Sequence, residues 1–258
     1  MINNRDPSSF SKLPLLRVEK GWLAVDKPCG VSVHNEPGQD LMSLLMQKIE
    51  TDPLLKERLG IASMFKVQPV HRLDRETSGV ILFSVNGKTL KTLSDLFVKG
   101  LVRKQYTALV HGTFDSKKES REYGKWCFPL SKEAGGRNNP AGDGKLVPCC
   151  TKFKVIRETH HYALLDIELK TGRKHQIRRH AKLSGHPVTG DTRYGSAKSV
   201  KYLQTQKSYH RLGLHCRQLE FTLTGEKGMI SITSENPLAE MIQLLSEDGY
   251  EFTRKESR

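Results

Sequence analysis

The chain has 258 residues, of which 36 % are hydrophobic, so it is long enough to bury a core as one large domain or two small ones. Lysine and arginine number 42 against 28 aspartate and glutamate, a net charge of +14. This excess predicts attraction to nucleic acid, with a basic protein that lacks such a partner as the alternative. We expect no membrane association, because the sequence has no apolar run of spanning length and no signal-peptide core.

The cysteines predict a reducing environment. There are five of them, an odd number, and none forms a CxxC pair. Neither a disulfide framework nor a zinc site is expected from this pattern. We therefore predict a cytoplasmic protein.

The first half of the chain alternates strand-like and helical patterns after a polar N-terminal arm at residues 1–17. Asp40 and Asn86 each precede a run of apolar residues at helical spacing, which is typical of helix N-caps. The predicted elements are a strand at 18–28, a helix at 40–50, a buried strand at 79–85, a helix from 86 to Gly100 and a strand at 104–112.

In the second half, residues 115–147 are polar and glycine-rich, which predicts an insertion or a long hairpin inside one domain that spans 18–258. The elements expected after it are strands at 151–157 and 161–170, a short basic helix at 173–185, strands at 212–223 and 228–233, and a C-terminal helix that Asn236-Pro237 opens. Strands follow strands as often as helices, so we predict an α+β fold with a mainly antiparallel central sheet.

Three segments carry polar groups that a core does not require. HRLDRETSG (71–79) places Asp74 between two arginines, where the carboxylate should stay ionised and could act as a nucleophile or base. TGRKHQIRRH (171–180) mixes cations with histidine and glutamine, a composition that suits phosphates and base edges. Tyr106 lies in a predicted strand and could stack on a base. The structural alternatives are an ion pair, a solvated helix face and a core tyrosine.

Other reaction classes lack their motifs. The sequence contains no GxSxG, no phosphate-binding loop, no GxGxxG and no cluster of neighbouring carboxylates that would hold two metal ions. His175 and His180 are five residues apart, which is a poor spacing for two ligands on one helix face. We therefore expect neither a metal nor a cofactor.

The combined motifs resemble those of the RluA-like pseudouridine synthases. WLAVDKPCGVSVH is similar to the early NKPxG motif, HRLDRETSGV to HRLDxxTSG, and KQYTALVHG to the strand motif that follows it. TGRKHQIRRHAKLSGHPVTGDTRYG resembles the TGRxHQ(I/L)RxH…GHP…GD block, and RLGLHCRQLEF a late strand. The resemblance runs from about residue 20 to about 235 and implies the short form of the family, without an S4 RNA-binding module.

This resemblance implies the pseudouridine synthase fold and the isomerisation of uridine to pseudouridine in rRNA or tRNA, without a cofactor. Asp74 would be the catalytic aspartate, Arg178 would pair with it, and Tyr106 would stack on the uracil and deprotonate C5. Arg72 would fill the gap left by the extruded base or bind the RNA backbone. Gly79 and Gly172 would meet backbone requirements. The remaining candidate RNA contacts are Thr77, Ser78, Arg173, Lys174, His175, Gln176 and Arg179.

Two other functions stay open at this point. A ribosome-assembly factor could keep the fold and bind RNA without catalysis, but it would not need Asp74, Tyr106 and Arg178 together. A basic nuclease or hydrolase would need divalent-metal ligands, which the sequence does not suggest. We expect a monomer, because RNA supplies the large partner surface.

Overall fold

The computed structural model describes residues 13–114, 124–223, 225, 228–234 and 238–249. Its elements in chain order are β1 (Leu15–Glu19), β2 (Trp22–Lys27), α1 (Leu41–Thr51), α2 (Pro53–Leu59), β3 (Gln68–Pro69), β4 (Ser78–Ser84), α3 (Gly87–Val98), β5 (Arg103–His111), β6 (Gly124–Trp126), β7 (Leu130–Ser131), β8 (Leu146–Val147), β9 (Thr151–Glu158), β10 (Tyr162–Leu169), α4 (Gln176–Leu183), α5 (Ala197–Gln206), β11 (Leu214–Phe221), β12 (Ile230–Thr233) and α6 (Leu238–Glu247).

The chain divides into two compact units. Unit 1 comprises Met1–Val102 and Cys216–Asn236, and unit 2 comprises Arg103–His215 and Pro237–Arg258. The single catalytic domain expected over 18–258 stays a prediction. Most of the predicted N-terminal arm lies outside the described residues, and its last residues, from Leu15, already belong to β1.

Unit 1 is built on the strand order β1-β2-β4-β11, in which β1 pairs antiparallel with β2 and β2 with β4. Every residue of β2 and β4 is buried. The strand predicted at 18–28 is in fact two strands joined at Gly21, whose φ of 90° favours glycine. A Cβ on Gly21 would also lie 2.5 Å from Thr89 Oγ1, so no larger residue fits this turn.

The two helices predicted in unit 1 are confirmed together with their caps. The Asp40 carboxylate accepts from the Ser43 backbone N–H at 2.8 Å, and the Asn86 side chain accepts from Thr89 N–H at 2.9 Å. α2 was not predicted, although Asp52 caps it and a proline occupies its first position. It is a short helix, so its apolar periodicity is weak.

Unit 2 is built on the antiparallel strand order β5-β10-β9-β6. Leu109 and Leu164 from the sheet pack with Leu203 of α5 and with Met241 and Leu244 of α6 in one buried cluster. The predicted opening of the C-terminal helix at 236–237 lies outside the described residues, and so do residues 115–123 of the predicted insertion. In the described part of that insertion, β7 pairs antiparallel with β8 and forms a long hairpin.

One disulfide bond contradicts the prediction drawn from the cysteine count. Cys127 is bonded to Cys150, whereas Cys29, Cys149 and Cys216 are free. β6 and β9 pair antiparallel with Trp126 opposite Thr151, which brings Cys127, the residue after Trp126, next to Cys150, the residue before Thr151. Cysteine spacing alone does not reveal that register. With this bond present, cysteine usage no longer supports a reducing compartment.

The strands and helices confirm the predicted α+β class with a mainly antiparallel sheet. Every described strand pair given above with a direction is antiparallel. Within the described ranges, no helix combines the length and the apolar character needed to cross a bilayer.

The disulfide generates a stability prediction. Its bridge links residues 23 positions apart, and a loop of this size restricts the unfolded chain by about 3 kcal/mol. We expect the Cys127→Ser/Cys150→Ser double variant to lose about that much unfolding free energy in denaturant titrations without reductant. With reductant, the variant and the wild type should be similarly stable. Alkylation of the wild type unfolded in denaturant without reductant should label three of its five cysteines, and labelling of all five would contradict the bond.

Candidate active site

The HRLDRETSG segment forms a tight turn directly before β4. The backbone N–H of Thr77 donates to the Asp74 carbonyl oxygen at 3.1 Å, which closes the turn over residues 75–76. Leu73 and Thr77 are buried, whereas Asp74 is half-buried. The backbone is therefore anchored on both sides of a carboxylate that keeps access to solvent.

A buried lysine holds this turn from inside unit 1. Lys27, the last residue of β2, is fully buried, and its ammonium donates to the carbonyl oxygens of Arg75 at 2.8 Å and Thr77 at 2.7 Å. Burial lowers the pKa of Lys27 from 10.5 to about 8, although nearby acidic groups, among them Asp74, partly oppose this shift. The ammonium fixes the turn and also places positive charge next to the aspartate.

The flanking side chains of the turn are also engaged. Arg75 donates to the Gly30 carbonyl oxygen at 3.0 Å and forms an ion pair with Glu36 at 2.6 Å. The His71 ring stacks on Phe97, with centroids 4.5 Å apart, and its Nε2 accepts a backbone N–H from β4. Arg75 and His71 therefore shape the loop that presents Asp74.

Gly79 meets a strict backbone requirement, as the motif implied. Its φ is 110°, and a Cβ there would lie 2.2 Å from the Cys216 carbonyl oxygen of β11. Gly172 does not share this constraint, because the nearest atom to a Cβ at that position is Lys104 Nζ at 3.7 Å. The motif therefore fixes the start of β4 more tightly than the loop before α4.

In unit 2, the guanidinium of Arg178 is held by a carboxylate that the sequence analysis did not single out. Its Nε donates to Asp191 Oδ2 at 2.8 Å and its Nη2 to Asp191 Oδ1 at 2.9 Å, and both side chains are buried. Asp191 also accepts the backbone N–H groups of Arg193 at 2.9 Å and Tyr194 at 3.0 Å. This bidentate pair fixes the orientation of Arg178.

An aromatic ring completes the surroundings of Arg178. The guanidinium carbon lies 5.4 Å from the centroid of the Tyr194 ring, a cation–π distance. Burial raises the pKa of Tyr194, and its hydroxyl lies 2.9 Å from His175 Nδ1. His175 has a φ of 54°, an uncommon conformation for a residue other than glycine. The start of α4 is thus held in one conformation.

Tyr106 lies in β5, as predicted, opposite Ile167 of β10, and it is largely buried. Tyr106 and Arg178 belong to unit 2, whereas Asp74 belongs to unit 1. The structure describes the surroundings of each residue within its own unit. The pairing of Arg178 with Asp74 and the assembly of the three residues around a uridine stay predictions.

The predicted RNA contacts divide by exposure. Four of them have accessible side chains: Arg72 and Lys174 are exposed, and Arg173 and His175 are half-buried. The other four are buried: Thr77, Ser78, Gln176 and Arg179. The Gln176 amide illustrates the second group, because it donates to the Cys150 carbonyl oxygen at 3.0 Å and accepts from the Thr171 hydroxyl at 2.8 Å. Buried side chains of this kind support the fold.

Arg179 departs most clearly from its predicted role. Its side chain is fully buried and donates to the carbonyl oxygens of Ser131, Pro140 and Ala141. A phosphate could reach this guanidinium only if that shell of carbonyl groups were dismantled. The structure therefore gives Arg179 a structural role in place of the expected RNA contact.

Lys27 and Asp191 are the site residues that sequence reasoning missed. Both lie inside quoted motifs, Lys27 in WLAVDKPCG and Asp191 in GHPVTGDTRYG, so the motifs themselves were the available signal. Their roles depend on which backbone groups surround them, and the motif letters do not give that information. Among the described residues, no three His, Cys, Asp or Glu side chains gather as a metal site.

The lowered pKa of Lys27 generates a pH prediction. The folded protein releases this proton at about pH 8, whereas the unfolded chain holds it to about pH 10.5. The cost of burying the charge is present below pH 8 and disappears as the pH rises toward 10.5. We expect the unfolding free energy of the wild type, relative to Lys27→Met, to increase by about 3 kcal/mol over this interval.

Denaturant titrations at several pH values measure this difference. Lys66→Met, which removes an exposed lysine from the same unit, is the matched control and should track the wild type. A constant difference between wild type and Lys27→Met across the pH range would show that the Lys27 pKa is not lowered.

Comparisons with known proteins show the family of this chain. A family model described as RNA pseudouridylate synthase matches residues 21–183. A tRNA pseudouridine synthase C from Haemophilus ducreyi is 31 % identical over 255 residues, which cover 94 % of this chain and 98 % of that protein. A ribosomal large subunit pseudouridine synthase C from Vibrio vulnificus is 31 % identical and covers 86 % of this chain and 64 % of its own.

A solved structure supports the same fold. Human RNA Pseudouridylate Synthase Domain Containing 4 superposes with a TM-score of 0.66 at 23 % identity, covering 92 % of this chain and 93 % of that one. Together, the family match and the relative of similar length show that this chain belongs to the RluA-like family of RNA pseudouridine synthases, isomerases that convert uridine in RNA to pseudouridine.

Proposed function

We propose that this enzyme modifies one or a few uridines in tRNA, with Asp74 as its catalytic carboxylate. The observation that carries the proposal is the turn at residues 74–77, which Lys27 clamps from inside and which leaves Asp74 half-buried. A relative similar over almost its whole length is named for tRNA, which favours tRNA over rRNA. The relative named for rRNA extends well beyond the matched region.

The reaction rearranges atoms without adding or removing any. The N1–C1′ bond of uridine breaks, the uracil turns while it stays bound, and a C5–C1′ bond forms. The C5 proton leaves, and N1 gains a proton. No redox change occurs, so no cofactor is required by this balance.

Asp74 acts next to the ribose as an ionised carboxylate. It either attacks C1′ as a nucleophile or removes the 2′ proton so that a glycal forms. The Lys27 ammonium contributes positive potential beside it, and the anchored turn reduces the freedom of the carboxylate before reaction. A preorganised carboxylate is what either route requires.

Arg178 and Tyr106 supply the other two catalytic roles. Arg178 pairs with Asp74 and keeps it charged and correctly aimed, and its own orientation is supported by the bidentate pair with Asp191. Tyr106 stacks on the target uracil and serves as the group that removes the C5 proton. Its place in a buried strand suits a ring that must hold one position.

The accessible cations at the two motifs contact the RNA. Arg72 enters the space that the extruded uridine leaves, because a base within a helix must leave its stack to react. Arg173, Lys174 and His175 contact the backbone around the start of α4. We expect the enzyme to act as a monomer, because the RNA supplies the large partner surface. We also expect it in the cytoplasm, without membrane association, and this location rests on the proposed RNA substrate and not on the cysteines.

The catalytic role of Asp74 is tested by substitution. Asp74→Asn keeps the shape of the side chain and removes its charge, so turnover of a tRNA substrate should fall below about one thousandth of the wild-type rate. Melting temperature should change by no more than about 2 °C, and RNA affinity by no more than about twofold. Asp95→Asn, which neutralises an exposed carboxylate on α3, should keep full activity. Retained turnover in Asp74→Asn would refute the catalytic role.

The substrate is tested in cells. Pseudouridine is mapped in total tRNA and rRNA from cells with and without the gene, complemented by wild type or Asp74→Asn. Loss of one or a few tRNA sites that only wild type restores supports the proposal. Loss of pseudouridine only in rRNA would show that rRNA, and not tRNA, is the substrate. No change in either RNA pool would favour an RNA-binding factor without catalysis.

The RNA contact proposed for Lys174, which is exposed just before α4, is tested by the salt dependence of binding. Each phosphate contact to single-stranded or helical RNA releases counterions and steepens the dependence of affinity on salt. Lys174→Ala should reduce the slope of log K against log salt by about 0.7 to 0.9. Lys88→Ala, at the exposed start of α3, is the matched control. An unchanged slope for Lys174→Ala would remove this lysine from the RNA interface.

A further inference from the structure

The buried guanidinium of Arg179 has neutral oxygens as its described partners. It donates to the carbonyl oxygens of Ser131 at 3.1 Å and Lys174 at 3.2 Å, and also to those of Pro140 and Ala141. Burying a charged group is costly unless its donors are satisfied. The backbone of residues 130–142, called here the 130–142 loop, therefore folds around this guanidinium.

Close backbone contacts also restrict the conformation of the 130–142 loop. A Cβ on Gly135 would lie 1.9 Å from the Asn139 carbonyl oxygen. Gly142 has a φ of 79°, and a Cβ there would lie 2.0 Å from Ser131 Oγ. The β7–β8 pair and the Cys127–Cys150 bond close the loop at its base. One conformation is thus strongly favoured.

The same loop is hydrogen-bonded to the segment that carries Asp191. Arg193 donates through Nε to the Gly135 carbonyl oxygen at 3.1 Å and through Nη2 to the Ala134 carbonyl oxygen at 2.9 Å. In the opposite direction, Arg137 donates to the Thr192 carbonyl oxygen at 3.1 Å. These bonds join the loop to the residues on the C-terminal side of Asp191.

We propose that Arg179 and Arg193 are positioning residues for the reaction. Arg179 sets the 130–142 loop, the loop sets Arg193, and the segment of Arg193 sets Asp191, which holds Arg178. The proposal rests on the catalytic role proposed for Arg178. Displacements of about 1 Å in a catalytic group can reduce a rate by about 100-fold, so even a partial loss of this restraint is measurable.

Arg193 offers the cleaner test, because it is exposed and its loss leaves the core intact. We expect Arg193→Met to lower kcat about tenfold while the KM for tRNA and the salt dependence of binding stay within about twofold. Arg58→Met, which removes an exposed arginine from α2, should leave both constants unchanged. A rise in KM without a change in kcat would identify Arg193 as an RNA contact and overturn the proposal.

A double-mutant cycle separates positioning from general support of the fold. If Arg193 acts through Asp191, then Arg193→Met should reduce kcat by less than about twofold in the Asp191→Asn background. If the loss of kcat in the double variant equals the product of the losses in the two single variants, Arg193 does not act through Asp191. That result would overturn the proposal.

Arg179→Lys extends the test to the buried residue and keeps its charge. It should lower kcat about tenfold and likewise lose its effect in the Asp191→Asn background. Wild-type kcat in a folded Arg179→Lys variant would remove Arg179 from the pathway. If Arg179→Lys does not fold, the Arg193 cycle alone decides the proposal.

The Arg178→Lys variant distinguishes failure of the positioning inference from failure of the catalytic role proposed for Arg178. An inactive Arg178→Lys together with a wild-type-like Arg193→Met would overturn the positioning inference and leave the catalytic role of Arg178 standing. An active Arg178→Lys would overturn both.

Discussion

The ammonium of Lys27 is the constraint on which the Asp74 turn depends. It donates to the carbonyl oxygens of Pro28, Arg75 and Thr77, so a single side chain joins the end of β2 to the turn before β4. Both strands are buried along their whole length, which makes the anchor rigid. The same ammonium that holds the backbone also places positive charge near the Asp74 carboxylate.

Unit 2 uses buried cations in the same way. Arg178 is fixed by the carboxylate of Asp191, and Arg179 by carbonyl oxygens of the 130–142 loop. A loop whose outward side faces water cannot be ordered by apolar packing alone. A lysine has three donors and an arginine five, so each can fix several backbone segments at once. The surrounding carbonyl groups satisfy the donors that burial removes from water.

The sequence predicted elements whose signals are local. α1 and α3 were found because a cap residue precedes a long apolar periodicity, and the strand pair at 151–170 because alternation is regular. The Cys127–Cys150 bond was missed because it depends on the register of strands that lie far apart in sequence. The motifs likewise predicted Asp74 as the catalytic group, a role that stays a proposal, but they did not predict the backbone contacts of Lys27 that hold its turn.

α4 shows why exposure could not be predicted from residue type. Its composition is strongly basic, which suggests a helix facing a polyanion, yet six consecutive residues from Gln176 to Ala181 are buried. An amphipathic helix shows one apolar stripe, but here polar side chains are part of the packing surface. Their partners include backbone carbonyl oxygens and the carboxylate of Asp191. Part of the positive charge of this protein therefore organises its own loops. The charge available to RNA lies on the cations that stay at the surface, such as Arg72 and Lys174.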